Sequence, residues 1–247
     1  QQARVELSTQ ADFITRIDKG ALFIDTLLKE QGFVYGVTTG YGDSCTVSVP
    51  LHLVDELSRN LYTFHGCGLG SHFDAQQTRA ILAVRLTSLA RGFSGVRYQL
   101  LRNLTTLITQ DILPLIPQEG SVGASGDLTP LSYLAAVLAG EREVMYQGER
   151  QATQAVFSRL DIQPLTLKPK EGLAIMNGTA AMTGIACLAY QRAEYLSQLC
   201  TRITSLVSIA LKGNAYHFDE KLFSVKPHPG QNHVAERIRS DLQVTES

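Results

Sequence analysis

The stretch GSVGASGDLTPLSYLA, residues 120–135, combines Ser125, Asp127 and three glycines with the start of an apolar helical run. A serine or aspartate at this position is typical of a helix start, because its side chain accepts a hydrogen bond from a free backbone N–H. Helix capping alone accounts for Ser125 or Asp127. It does not account for the crowding of Gly, Ala, Ser, Gly and Asp, which makes the backbone more flexible than a cap requires.

Two further loops hold polar residues without an obvious structural duty. YGVTTGYG, residues 35–42, contains three glycines and two tyrosines, and MNGTAAMTG, residues 176–184, contains the turn dipeptide Asn177-Gly178. The first is not a phosphate-binding loop, because its glycine spacing is wrong and no Lys-Ser/Thr follows. Taken singly, each loop is equally well explained as an ordinary connector, with tyrosines packed on the core or an asparagine in a turn.

In this order and at these spacings, the three loops resemble the family of histidine and aromatic amino-acid ammonia-lyases. The resemblance runs from about Tyr35 to HPGQ at residues 228–231, and it corresponds to the N-terminal half of a family member. It implies a mainly α fold of the ammonia-lyase (fumarase/aspartase) type, with Gly-rich active-site loops and one small β-hairpin. It also implies elimination of ammonia from an α-amino acid to leave an α,β-unsaturated acid.

In that family an Ala-Ser-Gly tripeptide cyclises to the electrophile 4-methylidene-imidazol-5-one (MIO). The resemblance implies that the amide nitrogen of Gly126 attacks the carbonyl carbon of Ala124, and that two waters leave, one with the Ser125 hydroxyl. The residue types suit this, because Gly126 has no Cβ to block closure and Ala124 is small. Asp127 is expected to assist proton transfer. The ring would accept electrons from the substrate amine, without a metal.

Tyr35 corresponds to the family's catalytic tyrosine, with Gly42 supporting it, and Asn177 to an asparagine that binds the ring or the substrate carboxylate. A free tyrosine has a pKa of about 10, so holding a phenolate at pH 7 costs roughly 4 kcal/mol. One helix N-terminus supplies only about 0.3–2 kcal/mol. We therefore expect several helix N-termini, or an added cation, to converge on the site. The helices that follow Asp127 and Thr179 begin beside the candidate site residues, so their N-termini are placed to stabilise a negative charge there.

The segment TFHGCGLG, residues 63–70, lies where the family reads the substrate side chain. His65 resembles the histidine-type lyases and some tyrosine-type ones, whereas Phe64 occupies a position that is Phe in many phenylalanine-type enzymes. Histidine, tyrosine and phenylalanine therefore all stay open as substrates. A plain loop histidine is the structural alternative for His65.

The family pattern also includes a second tyrosine in a Q-D-x-Y-S segment, with an arginine and a glutamate beyond it, and this chain contains no such segment. The resemblance further implies a homotetramer in which several subunits build each active site. We therefore expect the chain as given to be a truncated form that turns over substrate poorly. Two alternatives remain, namely an MIO-dependent aminomutase and a non-catalytic fragment in which the ring does not form.

Helical periodicity dominates the elements that must position these loops. It predicts helices near residues 11–32, 49–64, 74–92, 95–114, 128–140, 179–211 and 228–242. The sixth predicted helix, residues 179–211, is expected to be deeply buried because it contains several alanines together with Cys187 and Leu188. A hairpin is predicted at residues 142–151, with its turn at Gln147-Gly148. We assign residues 1–178 to an N-terminal MIO-bearing domain and 179–247 to the start of a central long-helix bundle.

Composition restricts the class of protein and its partners. The chain has 44% hydrophobic and 18% charged residues, which indicates a soluble globular protein. Its net charge of −1 lacks the surplus of basic residues that is typical of nucleic-acid-binding proteins. No signal peptide is recognised, and the apolar stretch 172–190 contains Asn, Thr and Gly, which favours a buried helix over a membrane span. The four cysteines form no C-x-x-C pair and are not clustered with the histidines. We therefore predict a cytoplasmic protein with reduced thiols and no metal site.

Overall fold

A computed structural model describes residues 4–31, 34–226 and 228–243 of the chain. The fold is mainly helical, as predicted. The α-helices are α1 (Ala11–Gln31), α2 (Val54–Phe64), α3 (Ala75–Ala90), α4 (Tyr98–Thr109), α5 (Leu128–Leu138), α6 (Thr153–Arg159), α7 (Glu171–Met176), α8 (Ala180–Ala210), α9 (Glu220–Ser224) and α10 (Pro229–Gln243). Short 3-10 helices span Gly42–Thr46, Leu51–Leu53 and Ala215–Phe218. The strands are β1 (Leu69–His72), β2 (Leu113–Pro114), β3 (Pro117–Glu119), β4 (Glu143–Tyr146) and β5 (Glu149–Ala152).

The hydrophobic core lies in the first of two compact units, which extends to Cys187. Helix α5 packs against α2, α4 and α7, and α3 packs against α4 and α7. Because α5 is apolar on all sides, nine of its eleven residues are buried. Helix α3 begins with a capping box, in which Asp74 and Gln77 each accept the other's backbone N–H. These helices form the rigid frame from which the candidate site loops project.

The predicted hairpin is confirmed. Strands β4 and β5 pair antiparallel, and Gln147 (φ 53°) and Gly148 (φ 80°) make a left-handed two-residue turn that matches the twist of the strands. Strand β2 pairs with β4 on the other side. This pairing explains why α4 ends at Thr109 rather than near Pro114 as predicted. The chain leaves the helix through Asp111 in the left-handed region (φ 57°) and joins the sheet.

Strands β1 and β3 form a second small antiparallel sheet that the sequence did not predict. Leu69 is paired with Glu119 and His72 with Pro117. Strand β3 leads directly into the loop at residues 120–127, and β1 follows Phe64–His65 within a few residues. The sheet therefore ties together two segments that the sequence pattern assigned to the same site.

The two compact units divide inside α8, between Cys187 and Leu188, and the domain boundary at residue 178/179 stays a prediction. Ala180 and Ala181 are buried, but Cys187 is exposed and Tyr190, Tyr195 and several later apolar side chains are exposed too. The prediction of deep burial along this helix was therefore wrong. Periodicity identifies the apolar residues of a helix but not what covers them. By length and composition, one helical stretch among the described residues, 171–210, could cross a membrane, a test that core helices also pass.

The second unit contains the rest of α8 together with α9 and α10. Helix α10 packs against α9 and against the 3-10 helix Ala215–Phe218, and it buries Ala235, Ile238 and Leu242. Asp219 caps α9 by accepting the Lys221 N–H at 2.9 Å. The predicted final helix is thus confirmed. None of the predicted site residues lies in this unit.

Candidate active site

The structure brings Ser125 and Asn177 together across 52 residues of sequence. The Asn177 side-chain amide (Nδ2) donates a hydrogen bond to Ser125 Oγ at 3.2 Å. Asn177 follows the last turn of α7 in an extended conformation, and Ser125 lies in the loop before α5. Both residues and Ala124 are exposed, so the pair can be reached from solvent. The sequence placed Ser125 and Asn177 in one site, and this contact places them side by side.

Gly126 occupies a position that accepts only glycine. Its φ of +84° lies in the left-handed region, and a Cβ built on it would lie 2.8 Å from the carbonyl carbon of Gly178 and closer still to its oxygen. On the next residue, the Asp127 N–H donates to that same carbonyl oxygen at 2.7 Å. By contrast, Gly123 also has a positive φ (+67°) but open space around it. The loop is therefore pressed against the Asn177-Gly178 turn specifically at Gly126.

Asp127 is buried and joins the loop to the start of α8. Ser121 Oγ donates to Asp127 Oδ1 at 2.8 Å, and the backbone N–H of Met182 donates to Oδ2 at 2.8 Å. Asp127 stands at the N-cap position of α5, but its side chain makes no capping bond to that helix. The expected cap was therefore wrong. Its carboxylate instead satisfies the first turn of α8, where a negative charge is stabilised by the helix dipole.

A buried arginine that sequence reasoning missed lies beneath the Asn177-Gly178 turn. Arg85 on α3 is 5% exposed, and its Nη2 donates to the carbonyl oxygens of Ala174 and Asn177. Burial lowers the pKa of Arg85 to about 10, so the guanidinium still carries its charge at neutral pH. The signal in the sequence is a charged residue on a buried stripe. Positions 82, 85, 86 and 89 have helical spacing, and the other three are leucines.

The Tyr35 loop is organised by contacts close in sequence. The Gly42 N–H donates to Tyr35 Oη at 3.0 Å. Thr39 and Ser48 form an isolated antiparallel β-bridge, and the Val49 N–H donates to Thr38 O. The backbone N–H of Gly42 is thus aimed at the phenol oxygen of Tyr35, while its supporting role stays a prediction.

The two tyrosines of this loop differ in exposure. Burial, together with the charge of Tyr35, raises the pKa of Tyr41 to about 12, which keeps Tyr41 neutral. Tyr35 is 53% exposed and is the candidate base of the loop. Among the described residues, no hydrogen bond or ring contact joins Tyr35 to Ser125. Its convergence with the ring-forming loop stays a prediction.

Phe64 and His65 stand at the end of α2 and contact each other. Their rings meet edge to face with centroids 5.1 Å apart. Phe64 is 79% exposed, and burial lowers the pKa of His65. An exposed phenyl ring beside a histidine that favours its neutral form suits a surface that receives a ring-bearing side chain. No described hydrogen bond links either residue to Ser125, and their role as substrate readers stays a prediction.

Two further residues hold the segment that follows His65. Tyr133 Oη accepts the Gly68 N–H at 3.1 Å, and Arg142 Nη2 donates to Gly66 O at 3.3 Å. The Arg142 guanidinium also lies 4.1 Å from the centre of the Tyr133 ring, within cation–π distance. Since Tyr133 belongs to α5, this clamp fixes the segment to the helix that begins at the Ser125 loop. Only the tertiary packing shows it.

The described residues fit a ring formed from Ala124, Ser125 and Gly126. Gly126 has no Cβ in a place where one could not fit, the neighbouring amide of Asp127 is pinned, and Ser125 Oγ already receives a hydrogen bond. Within the part of the chain that the structure describes, no group of three or more His, Cys, Asp or Glu side chains is placed to hold a metal ion.

Comparison with known proteins identifies the family of the chain. The family model described as aromatic amino acid lyase matches residues 1–247. The histidine ammonia-lyase of Shouchella clausii is 41% identical over 239 residues, 97% of this chain and 48% of the relative. The histidine ammonia-lyase of Bacillus subtilis is 39% identical over 245 residues, 98% of this chain and 48% of the relative. The chain therefore spans about half the length of the curated relatives it matches.

Solved structures give the same result for the fold. The tyrosine aminomutase of Streptomyces globisporus has a TM-score of 0.89 and 36% identity, over 97% of this chain and 45% of that chain. The histidine ammonia-lyase of Trypanosoma cruzi has a TM-score of 0.85 and 29% identity, over 96% and 46%. These neighbours confirm the predicted helical architecture.

Proposed function

The chain belongs to the aromatic amino acid lyase family, and on that premise we propose that the whole protein is a carbon–nitrogen lyase. It removes ammonia without oxidation from histidine or an aromatic L-amino acid and releases urocanate, coumarate or cinnamate. One observation carries the proposal. Ser125 is hydrogen-bonded to Asn177 in a loop whose Gly126 is pressed against Gly178.

The loop residues supply every atom of the electrophile. The Gly126 nitrogen bonds to the Ala124 carbonyl carbon, whose oxygen leaves as water with the amide hydrogens of Ser125 and Gly126. The second water takes the Ser125 hydroxyl and the hydrogen on its Cα, which leaves a methylidene group. Compression of the loop against Gly178 supports closure, because it restricts the backbone before the bond forms.

The resulting MIO ring would supply an electron-poor carbon that attracts the substrate amine. The chain's own residues then handle binding and proton transfer. Asn177, 3.2 Å from Ser125 Oγ, is positioned to donate to the ring or to a carboxylate beside it. Tyr35 accepts the proton from the substrate β-carbon, and the Gly42 N–H stabilises the negative charge on its oxygen.

Phe64 and His65 are the proposed readers of the substrate side chain, which can be that of histidine, tyrosine or phenylalanine. Incubating the whole protein with each amino acid, and following the ultraviolet absorbance of the unsaturated acid, identifies the substrate. A rate for only one of the three would assign specificity. Equal rates for all three would contradict a reading role for His65.

An aminomutase is the second candidate, because the tyrosine aminomutase of Streptomyces globisporus shares the fold at a TM-score of 0.89. That reaction returns the amine to the β-carbon. Product analysis separates the two, since a lyase releases an unsaturated acid and ammonia whereas a mutase releases a β-amino acid.

The proposal extends to assembly and location. A cytoplasmic homotetramer without nucleic-acid or membrane partners is supported by the net charge of −1 and by the exposed apolar side chains along α8. Its partner of interest is then the small amino-acid substrate, and its cofactor is the ring, with no metal. Light scattering of the whole protein that gave a monomer mass would contradict the tetramer.

Ser125→Ala in the whole protein tests the function directly. We expect the mass deficit of two waters to disappear and turnover to fall at least about a thousandfold, because the electrophile cannot form. Ser88→Ala, the same change at an exposed position on α3, should keep both the mass deficit and the rate. Full activity of Ser125→Ala would disprove the ring. A wild-type mass without the deficit would favour the non-catalytic alternative.

A further inference from the structure

Arg85 is a buried cation that the proposed chemistry leaves without a role. It lies on the core-facing stripe of α3, and no acidic side chain among the described residues pairs with it. Its Nε is buried without an acceptor in the part of the chain that the structure describes. Burying an unpaired charge costs free energy, so the Arg85 guanidinium must be stabilised by other polar groups. The carbonyl oxygens of Ala174 and Asn177, at the C-terminal end of α7, provide that stabilisation.

The guanidinium also lies directly against Gly178. A Cβ built on Gly178 would lie 3.2 Å from the Arg85 guanidinium carbon and closer still to Nη1. On its other side, Gly178 presents its carbonyl oxygen to the Asp127 N–H and to Gly126. The Asn177-Gly178 turn is therefore held between the guanidinium and the loop that contains Ser125.

We propose that Arg85 is a positioning residue for ring closure, which fixes the Asn177-Gly178 turn so that Gly178 compresses the loop at Gly126 and Asn177 reaches Ser125. The role rests on the proposed MIO chemistry. Arg85 acts through the turn and does not touch the reacting atoms.

The residue type matches this task. A guanidinium is planar and donates from several fixed directions, so Nη2 reaches two carbonyls while Nη1 packs on Gly178. Its positive charge complements the partial negative charge of the α7 C-terminus. A lysine at position 85 would keep the charge but not the planar surface. A methionine would keep an unbranched apolar stem but neither the charge nor the hydrogen bonds.

Helix α7 offers a matched control at its opposite end. There Arg97 donates from Nε and Nη2 to the buried carboxylate of Glu171, at 2.9 and 2.6 Å. Arg97→Met removes a largely buried ion pair and so destabilises the same helix. It leaves the contacts of Asn177 and Gly178 in place. Arg85→Met and Arg97→Met therefore separate a general loss of stability from a loss of positioning.

The experiment follows the mass of the whole protein, in its folded soluble fraction, at fixed times after a pulse of synthesis. We expect Arg97→Met to lose two waters as fast as the wild type. We expect Arg85→Met to cyclise about a hundredfold more slowly, because misplacement by about 1 Å has an effect of that size on reactions between positioned groups. Arg85→Lys should fall between Arg85→Met and the wild type, and it decides the matter if Arg85→Met does not fold.

Three outcomes would overturn the role. One is cyclisation at the wild-type rate in Arg85→Met, or in Arg85→Lys where that variant decides. Another is equal slowing in Arg97→Met, which would reduce the effect to stability. The third is a wild-type protein that never loses the two waters, which would overturn the proposed function and the role together. The first two leave the proposed function intact, so the two failures can be told apart.

Discussion

The two loops that carry Tyr35 and Ser125 are both rich in glycine, yet they are held in opposite ways. The Tyr35 loop is fixed by bonds between residues at most eleven apart, such as Gly42 to Tyr35 and Val49 to Thr38. The Ser125 loop is fixed by bonds to residues more than fifty positions away, on the turn after α7 and on α8. One loop is folded by its own sequence and the other by the tertiary structure.

This difference matches the chemistry assigned to each loop. A ring closure between Ala124 and Gly126, two residues apart, needs a compressed backbone, and compression requires rigid surroundings that the loop itself cannot supply. A base that must receive a proton needs exposure, and the one donor that its own loop supplies, the Gly42 N–H, is placed by a local turn. We therefore expect substitutions in the Ser125 loop to affect stability and ring formation together. Substitution of the exposed Tyr35 should affect turnover alone.

Gly126→Ala should give the largest loss of stability. The added Cβ meets the Gly178 carbonyl and forces a positive φ on alanine, and we expect the free energy of unfolding to fall by about 2–4 kcal/mol. Gly123→Ala is the matched control, with a positive φ but open space, and should cost about 1–2 kcal/mol. Urea unfolding of the whole protein measures both. Equal losses would show that the contact with Gly178 is unimportant.

Asp127→Ala should come next. It removes the acceptor of the Ser121 hydroxyl and leaves the Met182 N–H without its partner, which should cost about 1–3 kcal/mol. The same change at exposed Asp43, directly after the Tyr35 loop, should stay within about 0.5 kcal/mol. The comparison of loops fails if Asp43→Ala is as destabilising as Asp127→Ala.

Tyr35→Phe should leave stability within about 0.5 kcal/mol of the wild type, because the ring is half exposed and its bond to Gly42 is local. Turnover should fall by about 10²–10⁴-fold, the usual contribution of a proton acceptor. Steady-state kinetics and urea unfolding are measured on the same preparation. Tyr41→Phe, at the partly buried tyrosine of the same loop, should retain most of the turnover, and the reverse ranking would reassign the base.

A smaller, pH-dependent effect is expected at His65. Burial lowers its pKa in the folded state, so the unfolded chain binds more protons as the pH falls. The wild type should therefore lose stability relative to His65→Gln below the unfolded-state pKa of about 6.5, and the difference should be constant above about pH 7.5. Unfolding of both proteins at pH 8 and pH 5.5 checks this. A difference that does not change with pH would contradict burial of the ring.

Regular structure was largely predictable from the sequence, because it depends on local patterns. Helical periodicity located the long helices, and Gln147-Gly148 located the hairpin turn, since a left-handed turn of this kind favours such residues. The end of α4 was misplaced because pairing of Leu113–Pro114 with β4 competes with the helix. The short α7 and the β1–β3 sheet were missed because too few residues show their period.

The candidate site divides in the same way. By itself the sequence determined the Ala124-Ser125-Gly126 tripeptide, the Tyr35 and Asn177 loops, and the family they resemble, because residue types and spacings are local facts. Only the tertiary structure decided that Asp127 binds the start of α8 rather than its own helix, and that Arg85 lies under the Asn177-Gly178 turn. The physical reason is that a buried polar group must find a partner, and the packing of remote segments decides which one.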